Sequence, residues 1–320
     1  MTSVNNINVF YPLDGASEED KKILEPIEYI LQSPIVQITN NLILAFNYWL
    51  KIPKDKAQEI IEITHMLYIA DVILDDIQDN SDKRYGIAAA HSVYGIARTT
   101  SAAHCTLFSA LKRMANLQHF EALKICIEMV LDAFKGQGIE IVWRDNFTCP
   151  SEEAYKNMIE KKISTFFHMC VKVMQQFSTC DKDFSSLTRT LGLYFQIRDD
   201  YCNLRSSDVI FFFIYYTEEK GYSDDLTEGK FSLAIIHALH SKPEDNEIKN
   251  ILRKRTKNIE MKRHCNKLLE ECGSFEYTRK VLEELNAKAR AEIDRLGGNP
   301  LLIKILDDSD QLGHKNTLLL

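Results

Sequence analysis

Apolar residues recur at spacings of three and four along most of the chain, the period of helices that bury one face. The pattern predicts helices over 18–32, 41–50, 54–77, 91–117, 120–137, 151–177 and 184–204, joined by short polar or proline-marked turns. Ser17 followed by Glu18, Glu19 and Asp20 is an N-cap with acids in the first turn. Beyond Thr227 the helical stretches become shorter and more charged. No stretch alternates at a period of two for long enough to make a strand, and there is no internal repeat or low-complexity segment. With only 12 Gly and 7 Pro in 320 residues, the expected fold is all-α, a single large helical bundle with a polar helical extension at its C-terminal end. Its expected limits are 19–306, with an N-terminal extension over 1–18 and a tail over 307–320. One stretch breaks the pattern. The run VIFFFIYY at 209–216 is apolar and aromatic between charged flanks, a piece of core or, if exposed, an aggregation-prone window.

Composition narrows the function. A hydrophobic content of 45% supplies a large core, while a net charge of −7 and a pI near 5.8 argue against nucleic-acid binding and against a basic membrane-docking face. No stretch has the length of a membrane span, and the first residues carry neither a basic, apolar leader nor an Arg-rich amphipathic pattern. The eight cysteines are scattered without CxxC spacing, which fits reduced thiols in a cytoplasmic protein better than a disulfide framework or a zinc site.

Two acidic clusters carry the chemistry. Asp75, Asp76 and Asp79 stand at i, i+1 and i+4, so the first and last stack on one helix face. Stacked carboxylates form a chelating edge for a hard cation, and Mg²⁺ favours few carboxylates together with phosphate oxygens. Asp199 and Asp200 repeat the theme after the apolar run GLYFQI. In a chain with 46 Asp and Glu a solvated acidic face competes with this reading. The core-facing flank LYIADVIL weighs against it, because charges at the end of a buried helix are costly unless compensated.

The segments DDIQDNS at 75–81, GQGIEIVWRDN at 136–146, FQIRDDYCNL at 195–204, DLTEGKFS at 225–232, GSFEYT at 273–278 and RLGGNP at 295–300 together resemble the trans-prenyltransferases of the animal and fungal geranylgeranyl diphosphate synthase type. The resemblance runs from about Leu24 to Leu302. It implies the isoprenoid synthase bundle, up to three Mg²⁺ ions held by Asp75, Asp76, Asp79, Asp199, Asp200 and Asn203, and an allylic prenyl diphosphate whose diphosphate is pulled away to leave a carbocation. Arg84, Lys162 and Lys230 match the family's grip on that diphosphate, with Lys220 a weaker match; for Gln196 a role in orienting the intermediate competes with that of a satisfied core glutamine. Ala70 and Asp71 fall where the family sets product length. One departure is local: the family's Lys-Thr pair reads Lys162-Ile163 here.

The site implied for the second substrate, isopentenyl diphosphate, is degenerate. The family's Lys and Arg of a Gly-Lys-x-x-Arg loop fall on Val36 and Thr39, the second Arg after the first acidic motif on Tyr85, and a His of the first motif's helix on Tyr68. Losing three charge-assisted contacts at roughly 1.5–3 kcal/mol each weakens diphosphate binding on the order of a thousandfold or more. A cation formed without a second substrate is quenched by water, by its own double bonds or by proton loss, the reactions of a class I terpene synthase. The resemblance also implies a homodimer or higher homo-oligomer. It leaves two other readings open, a chain-elongating synthase with a rebuilt second site and a weakly active regulatory subunit of one. The run at 209–216 is an excess of about seven residues over the family's pattern, placed near the mouth of the site, where aromatic faces stabilise cations.

Overall fold

The computed structural model describes residues 17–32, 36–84, 86–205, 221–244 and 246–310, the side chains of 36–40 and 310 excepted. The expected run at 209–216, Tyr85 and Lys220 lie outside these residues, as do the side chains of Val36 and Thr39.

The periodic stretches fold as helices. In order they are α1 (Glu18–Leu31), α2 (Val36–Leu50), α3 (Lys54–Asp79), α4 (Ala90–Tyr94), α5 (Ile96–Asn116), α6 (Phe120–Asp145), α7 (Glu152–Ile159), α8 (Thr165–Gln175), α9 (Ser185–Arg205), α10 (Asp224–Glu228), α11 (Leu233–Ser241), α12 (Glu247–Arg253), α13 (Ile259–Glu271), α14 (Ser274–Arg295) and α15 (Pro300–Asp310). Ser17 closes a capping box with Asp20 and fixes the start of α1. α3 runs through the middle, packed along α5 and against α2 and α8. One large core joins α2, α3 and α6 to α9, α11 and α14, where Phe46, Trp49 and Phe184 pack ring against ring at 5.3–5.9 Å. A smaller core of Ile27, Ile30, Ile69, Ile73, Ala102 and Ala103 seats α1 against α3 and α5. Asn299 donates to the carbonyl of Ala45 at 2.8 Å and docks α15 onto α2.

Several elements depart from the expected pattern. α2 begins at Val36 rather than Asn41. The stretch 91–117 breaks at Gly95, whose φ of 82° no helix accommodates. Lys83–Arg84 and Ile87–Ala88 pair antiparallel as strands β1 and β2, a two-residue hairpin that periodicity over longer windows cannot register.

A further departure shapes the site. The stretch 151–177 is interrupted by a π-helical turn at Glu160–Ser164, an inserted residue that pushes the backbone outward and is frequent at functional sites. The turn is seated between two glycines. A Cβ on Gly136 of α6 would lie 2.5 Å from the backbone nitrogen of Lys162, and one on Gly192 of α9 would lie 2.1 Å from Ser164 Oγ. α6 therefore continues through Gly136 to Asp145 instead of ending near Gln137: the glycine serves as a contact face and leaves the hydrogen-bond ladder intact.

Gly136→Ala is expected to destabilise the protein by about 1–3 kcal/mol through overpacking. Gly138→Ala, with nothing within 4 Å of the new Cβ, is expected to stabilise it by up to about 1 kcal/mol. Urea denaturation of both variants measures the difference, and equal effects would show that the π turn does not need its seat.

Candidate active site

The first acidic motif occupies the last turn of α3, which Asn80 ends in the left-handed conformation at φ 55°. The hairpin then turns Arg84 back onto that turn. Its Nε donates to Asp76 Oδ1 at 2.7 Å and its Nη2 meets Asp75 Oδ2 at 3.0 Å, so one guanidinium spans two adjacent carboxylates. Asp76 is 1% exposed.

Lys162 reaches in from the π turn. Its Nζ donates to Asp75 Oδ1 at 3.2 Å and to Glu140 Oε2 of α6 at 2.6 Å. Arg144, one turn further along α6, pairs with Asp79 through Nη1 and donates from Nη2 to the carbonyl of Gln78 at 2.9 Å, a cation at the negative end of α3. Arg255 meets Asp145 at 2.7 Å beside it.

The second motif lies on α9. Asp200, 1% exposed, accepts three hydrogen bonds at 2.7 Å, from Tyr155, Gln196 and Lys230. Asn203 accepts from the backbone N–H of Asp225 at 3.1 Å. Asp199 is half-buried beside them. The two motifs are joined electrostatically through Lys162, Glu140 and Lys230.

Charge and burial oppose each other throughout. Burial disfavours the charged form of Lys162, but Asp75 and Glu140 outweigh it and hold the ammonium well above its ordinary range. Lys230 is raised in the same way by Asp200 and Asp225. Burial pushes Glu140 up, while Lys162 and Lys230 bring it below the usual carboxylate range. Asp79 goes the other way: burial, reinforced by Asp75 and Glu228, holds it well above that range. Burial and Asp75 push Asp71, one turn before Asp75, up to about 7, against the pull of Lys162 and Arg84.

Among the described residues no three Asp, Glu, His or Cys side chains converge as a ready-made metal cage. The donor set nevertheless suits a hard divalent cation. Asp75, Asp79 and Asp199 offer carboxylate oxygens on two helices, and the number of carboxylates exceeds that of the four cations Arg84, Arg144, Lys162 and Lys230. Such an arrangement suits Mg²⁺ brought with a polyanion that completes its coordination.

Aromatic pairs join the same helices. Tyr68 packs edge-on to Phe166 with centroids 6.3 Å apart, and Phe167 lies 6.1 Å from Phe195. Ala70 is fully buried. Of the residues singled out from the sequence, the structure gathers Asp75, Asp76, Arg84 and Lys162 in one network, and Asp200, Gln196 and Lys230 in a second. Glu140, Arg144 and Tyr155 were not among them. The signal for the first two was present, two charges at i and i+4 within the apolar stripe of α6; Tyr155 has no such signal, because an aromatic on a buried face reads as core.

The sequence matches the polyprenyl synthetase family over residues 20–269. It is 50% identical over 294 residues to a terpene synthase of Matsumurasca onukii, covering 92% of this chain and 95% of that protein. It is 41% identical over 285 residues to a geranylgeranyl pyrophosphate synthase of Mucor circinelloides f. lusitanicus, covering 89% and 92%. To a geranylgeranyl pyrophosphate synthase of Dictyostelium discoideum it is 38% identical over 303 residues, covering 95% and 97%. Matched across most of its length and built as an all-α bundle, the chain belongs to the polyprenyl synthetase family.

Proposed function

We propose that the protein is a Mg²⁺-dependent class I terpene synthase derived from a geranylgeranyl diphosphate synthase, converting a C10 to C20 prenyl diphosphate to a terpene hydrocarbon or alcohol with release of diphosphate. The observation that carries this reading is the contrast between its two sites. Arg84, Lys162 and Lys230, which the resemblance assigns to the allylic grip, sit on the carboxylates Asp75, Glu140 and Asp200, whereas Tyr68 stands in aromatic contact with Phe166 where the family's isopentenyl site carries a His. The terpene synthase of Matsumurasca onukii, at 50% identity, supports the same direction.

In this reading Asp75, Asp79 and Asp199 hold up to three Mg²⁺ ions. The metal, when bound, neutralises the leaving diphosphate as a Lewis acid. Lys162 and Lys230 stay protonated at any working pH and bind diphosphate oxygens as point charges, while Arg84 binds as a planar fork. Asp76 orients Arg84, and Asp200 orients Lys230. The aromatic walls beneath exclude water and face the carbocation, with Gln196 and Asp71 as the polar groups nearest the chain. A second reading, chain elongation, is favoured by the relatives named geranylgeranyl pyrophosphate synthase.

The protein is also proposed to be a cytoplasmic homodimer with one helical domain over 19–306. All eight cysteines are free, in keeping with a reducing compartment, and among the described residues no helix is long and apolar enough to cross a membrane. Phe108 of α5 and Phe120 and Leu131 of α6 are 66%, 79% and 52% exposed, an apolar face of the kind that partners cover.

Incubation with Mg²⁺ and geranyl, farnesyl or geranylgeranyl diphosphate, with and without isopentenyl diphosphate, is expected to yield a hydrocarbon or alcohol from one allylic substrate at a rate unaffected by isopentenyl diphosphate. Longer diphosphates made only in its presence would establish elongation instead. Chelation of the metal is expected to abolish turnover and its return to restore it. Arg84→Lys keeps the charge but not the fork, and is expected to lower kcat/KM by about 10–100-fold, the loss of roughly 1.5–3 kcal/mol of charge-assisted contact. Sedimentation velocity is expected to show a dimer that Phe108→Asp with Leu131→Asp converts to a monomer.

A further inference from the structure

Asn203 stands three residues after Asp200, at the position where the second acidic motif places its last ligand. In the structure its side-chain oxygen is turned to the backbone. It accepts the N–H of Asp225 at 3.1 Å, and Asn203 is 3% exposed. Asp225 lies in the first turn of α10, and its carbonyl accepts the N–H groups of Gly229 and Lys230, each at 3.0 Å. Lys230 then returns to α9, its Nζ 2.7 Å from Asp200. The chain thus closes a ring, from Asp200 to Asn203, across to Asp225, on to Lys230 and back.

A second tie lies behind the first. Asn266 of α13 donates from Nδ2 to the carbonyl of Leu204 at 2.8 Å and to Ser223 Oγ at 2.9 Å. Lys262, one turn earlier, donates to the carbonyl of Tyr222 at 2.6 Å. Both side chains are more than nine-tenths buried. Ser223 is held at φ 46°, a conformation a serine rarely adopts without fixed neighbours. One side chain of α13 therefore gathers the end of α9 and the entry to α10.

We propose that Asn203, Asn266 and Lys262 form a clasp of positioning residues that sets Lys230 against Asp200, with Asn203 serving the backbone and leaving metal binding to the aspartates. The proposal rests on the reading of Asp200 and Lys230 as part of the diphosphate site. Its consequence concerns the chain between Arg205 and Gly221. Because the clasp fixes Leu204 and Tyr222 to one helix, it predicts that a change in chain length between them leaves the diphosphate site unaltered.

The test compares Asn266→Leu and Lys262→Met, which keep volume but remove the donors, with deletion of 209–215 in the full-length protein. Three quantities are measured for each: the melting temperature, the affinity for inorganic diphosphate with Mg²⁺ by calorimetry, and KM and kcat with the prenyl diphosphate the wild type turns over. The clasp predicts at least a tenfold loss of diphosphate affinity and a matching rise in KM in both point variants. The deletion is expected to stay within twofold of wild type in affinity, KM and kcat. A merely structural role would lower the melting temperature and the active fraction while leaving KM and affinity unchanged, and that result overturns the proposal. So does a deletion that weakens diphosphate binding tenfold, or a wild type that does not bind diphosphate at all. If one point variant fails to fold, the other decides. A wild type that binds diphosphate but turns over no prenyl diphosphate overturns the proposed reaction alone, and the calorimetric arm still judges the clasp.

Discussion

The contact on which the rest depends is the placement of the Lys162 ammonium between Asp75 and Glu140, at 3.2 and 2.6 Å. A buried lysine is costly unless compensated, and each of these carboxylates would be costly without the lysine. Three elements are thereby committed to one another: α3 through Asp75, α6 through Glu140, and the π turn through Lys162. The backbone follows from the same demand. Gly136 lets the turn approach α6 to a distance that any Cβ would forbid, and Gly192 does the same from α9. The helix irregularity, the two glycines and the charge cluster are one device.

That device leaves the pocket acidic but not uncompensated. Arg84, Arg144, Lys162 and Lys230 each sit on carboxylates, so the acids are held in place before any metal arrives. Under the proposed function three of these cations, Arg84, Lys162 and Lys230, are the groups a diphosphate would meet. A ligand carrying both divalent cations and phosphate oxygens can exchange partners on both sides, the metals taking carboxylates and the phosphates taking ammonium and guanidinium groups. Preorganisation of this kind lowers the cost of ordering long side chains on binding.

Much of this was legible in the chain, and the exceptions share a cause. The acidic motifs could be found because charges next to apolar runs stand out against a helical pattern, whereas Arg84, Lys162 and Lys230 were picked out only by the family resemblance. The all-α bundle followed from periodicity and few breakers. What stayed hidden depends on contacts between elements distant in sequence. Nothing local distinguishes Gly136, which is pressed on Lys162, from Gly138, which touches nothing. A π turn adds one residue to a continuous helical pattern, and window periodicity averages over it. Tyr155 looks like core until Asp200 comes within 2.7 Å of its hydroxyl.

Tyr68 argues for the direction in which this chain has moved. It lies on α3 seven residues before Asp75, two turns below the metal edge, and its ring meets Phe166 nearly at right angles with centroids 6.3 Å apart. Phe166 follows Lys162 by four residues, in the first turn of α8, directly after the π turn that carries the cation. An edge-to-face pair is worth about 0.5–1.5 kcal/mol beyond the area it buries, and its ring surface carries no charge. A diphosphate placed against that surface would lose hydration without gaining a charged partner, a cost of several kcal/mol. A carbocation there gains, because the ring face is negative. Under the proposed function, a tyrosine at this position thus penalises a second diphosphate and favours an intermediate that must react with itself, with water or by loss of a proton.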